Sequence, residues 1–246
     1  MKPGYLFHNY VIDRDKLMSS GYFITGTDTD VGKTWVAMGM LTALKQKGYS
    51  TLAMKPVACG CSFIDGAYRN DDALKLQQHA SVSVPYEVVN PYALPAPIAP
   101  HLAALEHSQR IDIQQIKRIY EQHRNKADFI IIEGAGGWLV PLNEQDTTAD
   151  MVKALNLPVI LVAGIRLGCL NHTLLTVAAI RQYDIALAGW IASCIDKDCL
   201  QTERNIRALC ERINAPLLGV IPYIDKLNVQ TVADCLDITK LPGNIY

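Results

Sequence analysis

Between an apolar run at residues 22–25 and a helical pattern beginning near Trp35 lie Gly26, Thr27, Asp28, Thr29, Asp30, Val31, Gly32, Lys33 and Thr34. A strand, a tight turn and a helix start in that order aim several free backbone N–H groups at one point, and the helix dipole adds positive potential there. The pattern departs from G-x-x-x-x-G-K-[ST]: Thr27 holds the first glycine position and Gly26 lies one residue early. Gly32, Lys33 and Thr34 keep the remainder. Read as chemistry, the segment is a phosphate-binding loop, in which Lys33 reaches the outer phosphates of a nucleotide and the Thr34 hydroxyl ligates a magnesium ion. The plain alternative is an ordinary strand-to-helix turn.

The rest of the chain alternates in the same way. Strands are expected at 22–25, 50–55, 128–133, 158–163, 186–192 and 216–221. Helices are expected from the loop to about 47 and at 71–80, 111–125, 147–156, 171–183 and 202–214, with a proline-rich stretch at 85–100. Apolar runs of four to eight residues between longer helical patterns indicate parallel strands buried on both faces and joined by right-handed crossovers. The predicted fold is α/β, a P-loop NTPase-type doubly wound, mostly parallel sheet flanked by helices. Residues 18–246 are expected to form one domain. Residues 1–17 read as an extension, because Met18 lies just ahead of the first strand and offers a second possible start.

Composition narrows the partners. The 246 residues carry a formal net charge of −1 and no long Lys/Arg run, so electrostatics gives no reason to expect nucleic acid. The longest apolar stretches fall far short of the ~20 residues that span a bilayer. Seven cysteines, without a second close pair beside Cys59 and Cys61, suit a reduced cytoplasmic protein rather than a disulfide scaffold or a zinc site. His79, His101, His107 and His123 fall at no ligand spacing.

In a doubly wound sheet, ligands sit at the carboxyl ends of the strands. There the second strand delivers Lys55, followed by Pro56 and small residues up to Cys59 and Gly60. A strand-end lysine is either solvated punctuation or a catalytic cation, and Pro56 fixes the backbone beside it. The strand at 128–133 ends in Glu133, followed by Gly134, Ala135, Gly136 and Gly137. A carboxylate at that position beside a phosphate loop either holds magnesium, as a Walker-B acid does, or simply caps a glycine-rich turn. Asp72, at a helix start after Asn70 and Asp71, reads equally as a capping residue or a metal ligand.

Together these segments resemble the dethiobiotin synthetase family. The resemblance runs from about 22 to 223 and rests on residues 26–34, 55–58, 90–92, 133–138, 157–162, 167–172 and 215–222. It implies a homodimer that uses ATP, magnesium and carbon dioxide or bicarbonate to carboxylate diaminopelargonic acid. A carbamate and a carbamic-phosphoric anhydride lead to the cyclic urea of dethiobiotin. Lys55 and Lys33 would flank the carbamate and the γ-phosphate as catalytic lysines, and Thr34, Asp72 and Glu133 would hold magnesium. Asp30, Val31, Gly32, Lys33, Thr34 and Trp35 would wrap the triphosphate, with Gly134, Ala135 and Gly136 on its other side. Thr29 and Cys59 would contact the diamine. Gly168, Cys169, Leu170 and Asn171, at a helix start, would offer the substrate's carboxylate tail its site across the dimer interface.

Two departures stand out. Cys59 replaces a serine common in the family, exchanging a hydroxyl for a weaker thiol donor. Ser193 and Cys194 replace an Asn-Asp pair on the adenine side, where Pro222, Tyr223 and Ile224 supply a second loop. Three other readings compete. P-loop switches of the partitioning or septum-placement kind carry a lysine where this chain has Asp28. Cobyrinic acid synthases append a glutamine-hydrolysing domain for which the chain has no room. A degenerate nucleotide-binding paralogue is at odds with the intact Lys33, Thr34, Lys55, Asp72 and Glu133.

Overall fold

The computed structural model describes residues 20–242; the expected extension at 1–17 lies outside the described residues. In chain order the first half contains β1 (Ser20–Gly26), α1 (Lys33–Gln46), β2 (Thr51–Met54), β3 (Val57–Ala58), β4 (Ser62–Ile64), β5 (Ala67–Arg69), α2 (Asp71–His79), α3 (Tyr86–Val89), β6 (Tyr92–Ala93) and α4 (Pro100–Glu106). The second half contains α5 (Ile113–His123), β7 (Phe129–Glu133), α6 (Thr148–Leu155), β8 (Val159–Gly164), α7 (Cys169–Gln182), β9 (Leu187–Ser193), α8 (Thr202–Cys210), β10 (Leu217–Ile221) and α9 (Val229–Asp234).

Six strands form one sheet in the order β10-β9-β8-β1-β7-β2, and every pairing in it is parallel. From β1 the chain goes first to the edge strand β2, returns to fill the gap between them with β7, and then crosses to β8, β9 and β10 on the other side, so the direction of winding reverses beside β1, where this architecture opens its ligand crevice. Two small pairs lie outside the sheet, β3 with β6 in parallel and β4 with β5 antiparallel. No helix of the described residues is long and apolar enough to cross a membrane.

The period-two alternation of a strand explains why β7 is apolar throughout. Phe129 and Ile131 face the layer containing α1 and α9, while Ile130 and Ile132 face the layer containing α5 and α6. Each fully buried isoleucine contributes about 1.5–3 kcal/mol relative to exposure. The same alternation sends Glu133 toward α1, the helix whose first turn carries Thr34. Met54 is in register with Ile132, which sets Lys55, the residue just after β2, beside Glu133.

Helix starts differ in how their free N–H groups are satisfied. Asn70 caps α2 through Oδ1, Asp112 caps α5, Thr147 and Asp150 form a capping box on α6, and Asn228 caps α9. Helices α1 and α7 instead begin behind left-handed glycines, Gly32 and Gly168, with no side-chain cap. Their first-turn N–H groups are left without a side-chain cap, although that of Cys169 donates to Arg166 O at 3.0 Å.

One close approach yields a stability test. In β10, a methyl group added at Gly219 would lie 2.2 Å from the Cys235 carbonyl oxygen, where the strand bridges to Leu236 beyond α9. That neighbour is backbone and cannot rotate aside. Gly219→Ala is expected to destabilise the protein by at least about 1–3 kcal/mol, the usual range for overpacking. An unchanged thermal midpoint would show that the α9 segment shifts freely.

Candidate active site

The loop between β1 and α1 turns on two left-handed residues, Asp30 at φ 57° and Gly32 at φ 91°. At Gly32 a side chain would also approach Ser193 Oγ to 3.0 Å, so only glycine fits without strain. Val31 packs its side chain into the core and offers the site only its backbone. Asp28 braces the loop, its carboxylate accepting hydrogen bonds from Thr29 N at 2.8 Å and from Arg166 Nη2 at 2.6 Å. Lys33 is buried, and its ammonium donates to the Asp28 carbonyl at 2.8 Å. Burial lowers the Lys33 pKa; Glu133 opposes that effect and the nearby charge of Lys55 reinforces it.

Beside this loop, Lys55 Nζ lies 2.6 Å from Glu133 Oε1 and 2.9 Å from Asp72 Oδ2. The Thr34 hydroxyl donates to the same Glu133 oxygen at 2.9 Å. Glu133 is 1% exposed, and its Oε2 is buried without a hydrogen bond. Burial works to lower the Lys55 pKa, but the charges and hydrogen bonds of Glu133 and Asp72 outweigh it, so the ammonium is held above the usual lysine range. Burial likewise works to raise the Asp72 pKa, and the charge and hydrogen bond of Lys55 bring it below the ordinary carboxylate value. Lys55 and Asp72 therefore stay ionised between the ordinary carboxylate and lysine ranges.

A cleft of about 960 Å³ opens over these groups, within the size range of small-molecule sites. It brings together Thr29, Asp30, Gly32, Lys33, Thr34, Trp35, Lys55, Cys59, Asp72, Glu133, Gly134, Ala135 and Gly136. Burial raises the Cys59 thiol pKa to about 11, so it stands in the wall as a neutral group. At the start of α2, Asn70 caps the helix and Asp72 is left facing Lys55.

The remaining candidates lie off this cleft. Ser193 pairs in register with Ile221, and Cys194 N donates to Ile221 O at 2.9 Å. The segment after β9 and the one beginning Pro222, Tyr223 and Ile224 therefore leave the sheet side by side. Gly168, Cys169, Leu170 and Asn171 form the open start of α7, joined to the phosphate loop through the Arg166–Asp28 pair. Sequence reasoning missed the wall formed by Pro97, Ile98, Ala99, Pro100, Leu139, Val140 and Pro141. Its available signal was Ile98 and Leu139, apolar residues in loop-like sequence that are largely exposed here.

The model of a family described as an AAA domain matches residues 20–231. Among curated relatives, the ATP-dependent dethiobiotin synthetase BioD of Cellvibrio japonicus is 47% identical over 225 residues, covering 92% of this chain and 99% of that protein. The protein of the same name from Aromatoleum aromaticum is 46% identical over 222 residues, covering 90% and 97%. Among solved structures, the septum site-determining protein MinD of Pyrococcus horikoshii, in complex with Mg-ADP, superposes with a TM-score of 0.56 at 17% identity, covering 92% of this chain and 90% of that one. A ParA family ATPase from Chlorobium tepidum gives 0.53 at 14% identity, covering 90% and 92%. These two likenesses establish the shared fold. On sequence identity along nine-tenths of its length, the chain belongs to the family of ATP-dependent dethiobiotin synthetases.

Proposed function

We propose that the protein uses ATP and magnesium to carboxylate 7,8-diaminopelargonic acid with carbon dioxide or bicarbonate and to close the product to dethiobiotin. The observation that carries this reading is the meeting of two buried lysines, Lys33 and Lys55, with Thr34, Asp72 and Glu133 in one cleft. Every intermediate of such a reaction is anionic, so fixed positive charge stabilises each step.

In this mechanism one amine of the diamine attacks carbon dioxide and loses a proton, giving a carbamate that Lys55 and Lys33 hold against the γ-phosphate. A carbamate oxygen attacks phosphorus, ADP leaves, and Lys33 follows the charge that moves onto the transferred group. The second amine then attacks the carbamoyl carbon and gives its proton to the departing phosphate, which leaves with the bridging oxygen. Thr29 and Cys59 orient the diamine, Asp30 lies close to its amines, and the loop N–H groups from Asp30 to Trp35 position the triphosphate together with Gly134, Ala135 and Gly136.

Thr34, Asp72 and Glu133 fit a magnesium ion, as hard oxygen donors that include the buried, unbonded Glu133 Oε2. Among the described residues no group of three or more His, Cys, Asp or Glu side chains is placed to hold a metal. A site with two carboxylates and a hydroxyl suits an ion that draws further ligands from substrate phosphates and water. When bound, magnesium supplies neutralisation of charge on the phosphate oxygens.

The adenine falls to Ser193, Cys194, Pro222, Tyr223 and Ile224, on the two adjacent strand ends. The carboxylate tail of the diamine falls to the start of α7 at Gly168, Cys169, Leu170 and Asn171 of a second protomer, where the Cys169 N–H is taken by Arg166 O at 3.0 Å and the donors left are those of the neighbouring residues. Leu167, 94% exposed, and Leu175, 61% exposed, support a homodimer that covers this region. Residues 18–246 act as one domain in this reading, and the seven unpaired thiols suit a cytoplasmic setting.

The reaction leaves an isotopic mark. With ¹⁸O-labelled carbon dioxide, dethiobiotin should form together with phosphate carrying one labelled oxygen, because the attacking carbamate oxygen leaves with phosphorus. Unlabelled phosphate alongside product would remove the anhydride route, and absence of product would remove the function.

A further inference from the structure

Lys55 lies one residue beyond the last β2–β7 register pair, so the sheet ladder does not hold it. Both of its backbone polar groups are instead taken by the end of α3. Lys55 N donates to Val89 O at 2.8 Å, and Asn90 Nδ2 donates to Lys55 O at 2.7 Å. Asp72, its salt-bridge partner, rides on the first turn of α2, whose cap is Asn70. The Tyr86 hydroxyl joins the two carriers, accepting from Asn70 N at 2.7 Å and donating to Asn90 Oδ1 at 2.9 Å. Asn70 Nδ2 in turn donates to Cys59 O at 3.3 Å.

Tyr86, Asn90 and Asn70 are all buried, and the donor and acceptor roles in the chain close without conflict. The ring of Tyr86 is fixed as well, beneath Arg69, whose guanidinium carbon stands 4.2 Å from its centroid. A buried network whose members are all satisfied specifies one geometry, because any shift strands a polar group. A general packing role does not require that this one hydroxyl connect the backbones of the lysine, the carboxylate and the Cys59 wall.

We propose that Tyr86, Asn90 and Asn70 form a buried positioning relay that sets Lys55 against Asp72 for turnover. This inference rests on the catalytic reading of Lys55 given above. The relay touches no substrate and acts through the backbone at Lys55 and the cap of α2. Small displacements of a catalytic group carry large rate effects, which is the sense in which such residues matter.

The test is a double-mutant cycle of Tyr86→Phe with Lys55→Gln, read as diamine-dependent phosphate release by the full chain. Tyr86→Phe alone is expected to lower kcat by about tenfold, with ATP affinity within about twofold of the parent, since the phosphate loop is untouched. In the Lys55→Gln background the same substitution should change kcat by less than about twofold, because its effect passes through the absent ammonium. Equal tenfold losses in both backgrounds would overturn the proposal in favour of a general structural role. Asn90→Asp, near-isosteric and lacking the donor to Lys55 O, is read in the same cycle if Tyr86→Phe folds poorly. A second readout is independent of turnover: exchange of the Lys55 amide proton, bonded to Val89 O, should quicken at least about tenfold in Tyr86→Phe, since local opening governs such exchange. Unchanged exchange contradicts the relay. An unsubstituted chain without turnover, but with quickened exchange in the variant, would sink the reaction assignment and leave the relay standing.

Discussion

Lys55→Gln is expected to reduce diamine-dependent turnover by about a hundredfold or more while leaving ATP affinity within a few-fold, as befits a fixed charge that stabilises a transition state. The lysine lies at the end of β2, buried between Asp72 and Glu133, outside the loop that grips the phosphates. Glutamine keeps most of the side-chain length and one donor group, but not the charge. Removing one partner of a buried ion pair costs about 3–5 kcal/mol, and the remaining amide hydrogen bond puts this variant toward the lower end. A modest fall in thermal midpoint should therefore accompany the kinetic loss. Turnover near that of the parent would take Lys55 out of the chemistry.

Glu133→Gln should have an effect of similar size with a different signature. The native carboxylate accepts from Thr34 and Lys55 through Oε1, while Oε2 is buried without a hydrogen bond. An amide of the same shape removes the charge facing Lys55 and replaces one hard anionic oxygen with a donor. The expected result is a fall of about a hundredfold or more in turnover, with half-maximal rate shifted to a higher magnesium concentration. An unchanged magnesium dependence would detach Glu133 from the metal. The two substitutions thus separate a loss of positive charge from a loss of metal affinity.

How much of this was legible beforehand depended on how far apart in the chain the interacting residues lie. The strand Phe129–Glu133 was readable because burial on both faces demands an unbroken apolar run, and its terminal acid marks the point where burial ends. The loop was readable because phosphate binding places Gly32, Lys33 and Thr34 in one short segment. Helices α3 and α4 were hidden inside the proline-rich stretch, since Pro85 sits at an N-cap and Pro100 at a first helical position, both compatible with a helix start. The pair β4–β5 is short and poorly buried, so its sequence carries little strand periodicity.

Within the site, the meeting of Lys55 with Glu133 was not legible, because it follows from the pairing of Met54 with Ile132 across 78 positions of sequence. Asp72 was ambiguous for a similar reason: only the structure shows that Asn70 takes the cap and leaves the carboxylate to Lys55. Tyr86 had no chemical signature, and Asn90 had only its place in the resemblance at 90–92, since a tyrosine and an asparagine in a proline-rich stretch acquire a role only through what they touch.

The most direct measurement is phosphate release by the purified protein with ATP, magnesium and bicarbonate, with and without diaminopelargonic acid, the product being weighed by mass spectrometry. Release that depends on the diamine and matches dethiobiotin formed one for one is the predicted result. Nucleotide binding with no diamine-dependent release, or release that continues unchanged without the diamine, would contradict the function assigned to this cleft.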